Sequence, residues 1–167
     1  MNVLPDILVS DLAVVFCGTA VGAASARRQA YYAGPGNVFW PTLHDVGLTT
    51  RLLTPEEYSC ITQFGLGLTD LAKTISGSDE ALSNEHFDRE GLHAKLRRYR
   101  PRVLAFTSKR AAKEFLGRPT DYGLLVEKVG DTCLFVLPSP SGAARRYWNK
   151  KHWSDLAQLR GDAEQGR

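Results

Sequence analysis

Asp70 is the one carboxylate in the otherwise apolar or neutral segment Gly67-Leu68-Thr69-Asp70-Leu71-Ala72. At a strand end such a group can act as a general base; the plainer role open to it is a salt-bridged or capping aspartate at a crevice rim. Asn37 follows the turn signal Gly34-Pro35-Gly36, where its amide can cap a helix over 38–47. From Ser141 to Trp153, SGAARRYWNKKHW carries four basic residues, two tryptophans, a tyrosine and no acid. Cations interleaved with aromatics suit a polyanion that carries flat bases. The alternative is a solvated C-terminal helix with Trp148 and Trp153 turned to the core. His44, His86, His93 and His152 are scattered, and no pair among Cys17, Cys60 and Cys133 has zinc-ligand spacing.

The elements that must position these residues are legible in outline. Leu12–Cys17 reads as a buried strand of near-continuous apolar character, the pattern of a parallel sheet covered on both faces. It runs into the small-residue stretch Gly18–Ser25, expected as a loop where a ligand approaches the backbone. Asn37 caps the following helix and Gly47 stops it. Pro55 opens a short helix, 64–71 is a short strand or a loop, and 88–99 is a basic helix ending before Pro101. Residues 102–107 form a second strong strand, and Ser108 caps a helix closed by Gly117. Strands over 124–129 and 132–137 flank the hairpin signal Gly130-Asp131, and a last helix spans 147–159.

Alternating strands and helices predict an α/β fold, a single three-layer α/β/α domain with a central, mostly parallel sheet of four or five strands. Residues 1–160 make up the domain and 161–167 a frayed tail. In such sheets the ligand sits outside the carboxyl ends of the strands, which gathers 18–25, 67–70, 107–109 and 139–145 around one crevice. With 167 residues, 43% hydrophobic and 23% charged, the chain has the size and balance of one globular domain. No apolar run approaches a membrane span, and no secretory signal pattern occurs at the N-terminus. The odd, widely spaced cysteines read as reduced thiols, and the expected location is cytoplasmic, at the nucleoid in the bacterial manner.

Two small-residue segments after strands, GTAVGAAS and LPSPSGAAR, with YYAGPGNVFW between them, resemble the uracil-DNA glycosylase superfamily, most closely its mismatch-specific uracil/thymine branch. The family's first motif, a Gly-x-Asn-Pro-Gly loop with a serine shortly after, aligns with Gly18-Thr19-Ala20-Val21-Gly22 and Ser25. Its Pro-x-Asn-x-Phe-Trp element is matched by Pro35 to Trp40. Its last motif, Asn-Pro-Ser-Gly with a following arginine, corresponds to Ser139-Pro140-Ser141-Gly142 and Arg145. GLTDLA and LAFTSKRA fall between them in the family's order, so that the resemblance spans residues 8 to 160. Three positions depart from the pattern. Ala20 replaces the asparagine or aspartate that directs the water, Val21 replaces the proline, and Ser139 replaces histidine or asparagine.

The resemblance implies excision of uracil from DNA by hydrolysis, independent of metal and of any cofactor, by a monomer acting on double-stranded substrate. Because uracil leaves as a delocalised anion, backbone N–H donors around Gly18, Thr19, Ala20, Val21 and Gly22 can carry much of the work. Ser25 and Ser139 are further base-binding positions. The resemblance assigns Tyr32 to stacking on the flipped base, a role for which its flat ring is suited; a plain core or surface tyrosine is the alternative. A related hypoxanthine/uracil branch that also lacks the first-motif carboxylate makes its matching asparagine essential. Asn37 is therefore the first candidate catalytic residue, for reading the base or orienting water, and Asp70, from its predicted strand-end position, is the second. Ser141, Gly142, Ala143, Ala144 and Arg145 align with the wedge that fills the flipped nucleotide's gap. Arg146, Lys150, Lys151 and Lys109 would hold phosphates. Two other readings stay open: an inert protein that binds uracil-containing or abasic DNA, and a nucleotide- or phosphate-binding α/β domain. No Gly-x-Gly-x-x-Gly or Walker lysine supports the last.

Overall fold

Apolar strands build the sheet and helices with one apolar face cover it on both sides, in a computed structural model that describes residues 1–166. In chain order the elements are β1 (Val14–Val21), α1 (Ala23–Arg28), α2 (Phe39–Asp45), β2 (Leu66–Ser76), α3 (Arg89–Tyr99), β3 (Val103–Phe106), α4 (Lys109–Leu116), β4 (Gly123–Val129), β5 (Thr132–Val136) and α5 (Lys150–Glu164). The strand order is β2-β1-β3-β5-β4. The first four strands are parallel and β4 pairs antiparallel at one edge, which completes the α/β/α sandwich with five strands.

Side-chain alternation along β1 divides the core. Phe16 faces α2 and α5, where it packs among Phe39, Trp40, Leu43, Trp153 and Leu156. Val15 and Cys17 face the opposite layer, under Leu92 and Leu96 of α3 and Ala112 and Phe115 of α4. Fully burying each large side chain contributes about 1.5–3 kcal/mol, so the two faces together dominate the fold's stability. Local signals agree with this arrangement. Asp88 Oδ1 accepts the Gly91 N–H at 2.9 Å, and Ser108 Oγ accepts that of Ala111 at 3.1 Å. Gly117 ends α4 at φ 78°, a left-handed conformation that suits glycine.

Four boundaries differ from the sequence-based expectation. β1 does not end at Cys17: Gly18 to Val21, expected as loop, continue the strand because β2 is long enough to pair with them, Gly18 opposite Asp70 and Ala20 opposite Ala72. β2 itself reaches Ser76 rather than stopping near Leu71, and the register slips so that Val21 lies opposite Ser76. Residues 67–69 consequently lie inside the sheet, away from its carboxyl end. The last helix begins at Lys150, where Asn149 Oδ1 accepts the Lys151 N–H at 3.0 Å; a 3₁₀ helix over Gly142–Tyr147 precedes it. α5 runs to Glu164, paired with Arg160 at 2.9 Å, so 161–164 are helical; Arg167 lies outside the described residues. Cys17, Cys60 and Cys133 are free thiols, and only Cys17 is fully buried. No helix among the described residues is long and apolar enough to cross a membrane.

Candidate active site

The site forms where β1, β2, β3 and β5 present their carboxyl halves. β3 pairs with β1 only as far as Cys17 opposite Phe106, followed by a bond from Thr107 N–H to Cys17 O at 3.0 Å. Beyond Cys17 the β3-facing edge of β1 has no strand beside it. Gly18 sits at this point and its missing side chain matters. A Cβ there would lie 2.9 Å from Asp70 Oδ1, 3.4 Å from Thr107 Oγ1 and 3.6 Å from the Tyr32 hydroxyl. Three oxygens from three different segments thus converge over one bare Cα, the kind of close approach that only glycine permits.

Tyr32 reaches this point from a turn that Ser25 shapes. The Ser25 hydroxyl is buried and accepts the Ala33 N–H at 2.8 Å, and Ser25 O accepts the Ala30 N–H at 3.1 Å. Ser25 therefore positions Tyr32 from behind. Tyr32 has φ 52°, a left-handed conformation that costs an aromatic residue on the order of 1–2 kcal/mol. Its hydroxyl lies 3.2 Å from Thr107 Oγ1, and its ring stacks on Phe39 at 3.9 Å with an interplanar angle of 19°. One face of the partly exposed ring is thereby fixed by the core. Burial, followed by the Asp70 charge, pushes the Tyr32 phenol well up, so it stays a neutral hydrogen-bonding group.

Asp70 is only 4% exposed. Its Oδ2 is buried without a hydrogen bond and lies 3.5 Å from Lys73 Nζ. Burial pushes the carboxyl up to about 6, against the pull of Lys73. A carboxylate tuned in this way is ionised at neutral pH yet a much better proton acceptor than an exposed aspartate. Of the two roles open to Asp70 from the sequence, the ion pair is present, with Lys73 as its partner, but the residue is buried within β2 rather than set at a rim.

Asn37 and Ser139 come together through two docked loops. Val38 N–H donates to Pro140 O at 2.9 Å, and a Cβ at Gly142 would meet Pro35 O at 2.7 Å. Asn37 is not the cap expected from the sequence: the N-cap of α2 is Val38, which makes no side-chain cap bond, and Asn37 Oδ1 accepts the Phe39 N–H at 2.9 Å from one residue further out, while Nδ2 makes no hydrogen bond among the described residues. Ser139 Oγ accepts the Ser141 N–H at 3.2 Å, which leaves its own proton to donate. Pro138 and Pro140 are buried on either side and stiffen the loop.

The other residues singled out from the sequence are dispersed. Thr19 turns away, its hydroxyl donating to Asp79 Oδ1 at 2.8 Å. Ala20 is partly buried one register pair beyond Gly18, Val21 packs into the core, and Gly22 caps α1 in the open. Ser141 caps the 3₁₀ helix, in which Ala143, Arg145 and Arg146 are exposed and Ala144 is half-buried. The Arg145 guanidinium lies beside Gly36, and Arg146 lies over the Tyr147 ring at 5.4 Å. Lys109 lies over the Tyr122 ring at 4.4 Å. None of Lys109, Arg145 and Arg146 has a carboxylate partner among the described residues. Lys150 and Lys151, by contrast, pair with Asp45 at 3.7 Å and Asp155 at 2.9 Å. Sequence reasoning gathered Thr107 with the site segments but gave it no role, and it missed Lys73 and Asp6 behind Asp70. The i, i+3 spacing of Asp70 and Lys73 was the available signal, hidden because a regular strand would turn them to opposite faces.

The model of the uracil DNA glycosylase superfamily matches residues 5–159. Among solved structures, the chain is similar to a candidate uracil DNA glycosylase from Methanosarcina acetivorans, determined in solution by NMR, with a TM-score of 0.61 and 22% identity over 95% of each chain. At that identity the structural likeness speaks for the fold.

Proposed function

The chain belongs to the uracil DNA glycosylase superfamily, and from that premise we propose that it hydrolyses the N-glycosidic bond of deoxyuridine flipped out of duplex DNA. The observation that carries the proposal is the convergence of Asp70 Oδ1, Thr107 Oγ1 and the Tyr32 hydroxyl over Gly18. In this reading uracil stacks on the free face of Tyr32. Asn37 Nδ2 and the Ser139 hydroxyl donate to the base, together with backbone N–H groups on the edge of β1 that β3 does not cover. Water attacks C1′ as the C1′–N1 bond breaks, and the electron pair leaves with uracil as its anion. Asp70 takes the proton from that water. On this reading the general base lies opposite Gly18, one register pair before the family's usual position at Ala20. Arg145, with Ala143 and Ala144 beside it, fills the gap left in the duplex, and Arg146 and Lys109 hold phosphates. One copy of the chain suffices for this, without cofactor.

The test is to incubate the protein with a duplex carrying one uracil and score abasic sites, with Asn37→Ala and Asp70→Ala alongside. Wild type is expected to produce abasic sites, with both variants slower by about 10²-fold or more. Variants as fast as wild type would refute the residue roles, and an absence of any uracil preference would refute the reading as a whole. The near-complete burial of Asp70 and the alanine at position 20 favour one rival, a protein that binds uracil-containing or abasic DNA without cutting. Tight uracil-dependent binding without abasic sites would establish that rival.

A further inference from the structure

Behind Asp70 lies a chain of charged groups that the proposed chemistry has not yet used. Lys73 is 9% exposed at its side chain and lies 3.5 Å from Asp70 Oδ2 and 2.9 Å from Asp6 Oδ1. Its ammonium also donates to the Tyr31 hydroxyl at 3.0 Å, which itself donates to Pro5 O. Asp6 continues the chain around the edge of the sheet. Its Oδ2 pairs with Lys95 of α3 at 2.8 Å, and its Oδ1 accepts from the Thr69 hydroxyl at 2.8 Å. The N-terminal segment holds Asp6 there, because Ile7 exchanges two 2.9 Å hydrogen bonds with Leu68 and Val3 N–H donates to Lys73 O at 2.7 Å. The outer end opens into a depression of about 420 Å³ bounded by Asp6, Leu8, Lys95, Arg98 and Tyr99. The inner end is a buried carboxylate oxygen with no hydrogen bond.

We infer that Asp6 and Lys73 are positioning residues for Asp70, with Lys73 favouring its ionised form and Asp6 dividing that cation's charge between two carboxylates. The arrangement is asymmetric in a way that simple structural pairing does not require. Lys73 approaches Asp6 more closely than Asp70, and Asp6 has Lys95 as a second cation. Burial pushes the Asp6 carboxyl up, but Lys73 and Lys95 outweigh it and hold it below its ordinary value. Asp70 has only Lys73 at contact distance and stays above its ordinary value. The other groups around Asp70 are Tyr31 and Tyr32 from the 29–33 turn, Cys17 of β1, Thr107 after β3 and the more distant Lys95. Burial pushes the Tyr31, Tyr32 and Cys17 protons up, so none of them titrates near neutrality. Removing Lys73 therefore moves the Asp70 titration further up, toward neutral pH and beyond. Removing the Asp6 charge leaves Lys73 to Asp70 alone and moves its titration the other way.

The inference rests on Asp70 acting as the base, so the experiment reads its carboxyl directly as well as through activity. The Asp70 carboxyl carbon is titrated by NMR in wild type, Lys73→Met and Asp6→Asn, and the pH profile of uracil release is recorded for the same proteins. Lys73→Met is expected to raise the Asp70 midpoint by about 1 to 3 pH units, the size expected for losing an opposite charge at this range. The acid limb of the profile moves with it, with about tenfold slower release per unit below the new midpoint and recovery at high pH. Asp6→Asn is expected to move midpoint and limb downward. Shifts of the same sign in both variants, or no shift in either, would overturn the inference. If Lys73→Met does not fold, the Asp6→Asn direction decides alone. If wild type releases no uracil, the carbon titration still decides, which keeps failure of the relay distinct from failure of the glycosylase reading.

Discussion

At the scale of single residues the site rests on what Gly18 lacks and what Asp70 keeps. Glycine at 18 was legible in the sequence only as a sign of close approach; that the approaching atoms are Asp70, Thr107 and Tyr32 depends on strand register, which residue types do not disclose. Asp70 was legible as a lone carboxylate in an apolar segment, but not its place: β2 runs on to Ser76 and leaves it buried in mid-strand rather than at a strand end. Holding that carboxyl at about 6, against an ordinary 3.8, has a consequence for stability. Between those two values the folded state binds more protons than the unfolded one, so stability falls as pH rises through the window and stays lower above it. The difference amounts to about 3 kcal/mol at neutral pH. Asp70→Asn is therefore expected to raise the Tm at pH 7.5 by roughly 6–12 °C and to flatten the decline between about pH 4 and pH 6. Thermal melts across that range check this, and a lower Tm at pH 7.5 would show that the ionised carboxylate stabilises the fold.

At the scale of elements, helix signals carried furthest. The cap at Ser108 and the stop at Gly117 lie where their residue types indicate, because capping is local chemistry, and Asp88, read as the first helical residue, is the cap of α3. Strand ends were less legible, since β1 continues through Gly18 to Val21 only because β2 offers a partner that is distant in sequence. The small-residue stretch is a strand edge rather than a loop. The last loop is docked on the Gly34-Pro35-Gly36 turn, and in the proposed reading it is the one that serves the site. A side chain at Gly142 would collide with Pro35 O at 2.7 Å, both atoms being held by backbone. Gly142→Val is expected to undock this loop, weakening binding to uracil-containing duplex about tenfold or more while costing the fold roughly 1–3 kcal/mol. Fluorescence anisotropy with a parallel melt would separate the two effects; unchanged affinity would show that loop docking does not shape the DNA-binding surface.

At the scale of the whole molecule, net charge is modest at +3 and its distribution decides the matter. The basic run after Ser141 was legible as a polyanion surface, but residue types alone did not separate its members. Acidic neighbours engage Lys150 and Lys151, whereas Arg145 and Arg146 are exposed with no carboxylate partner among the described residues. Arg145→Ala and Arg146→Ala should each lower the salt slope of DNA binding by about 1, and Lys151→Ala by much less. Titrations at several salt concentrations would show this, and equal slopes for all three would place the phosphate contacts elsewhere. Above all of these stands hydrolysis itself. The most direct measurement is single-turnover release of uracil from a duplex at pH 7.5 by wild type and by Asp70→Asn. Wild type is expected to release uracil and leave an abasic site, and folded Asp70→Asn to do so at least about 10²-fold more slowly. Uracil left in place by wild type, or released equally fast by Asp70→Asn, would contradict a glycosylase that draws its base from β2.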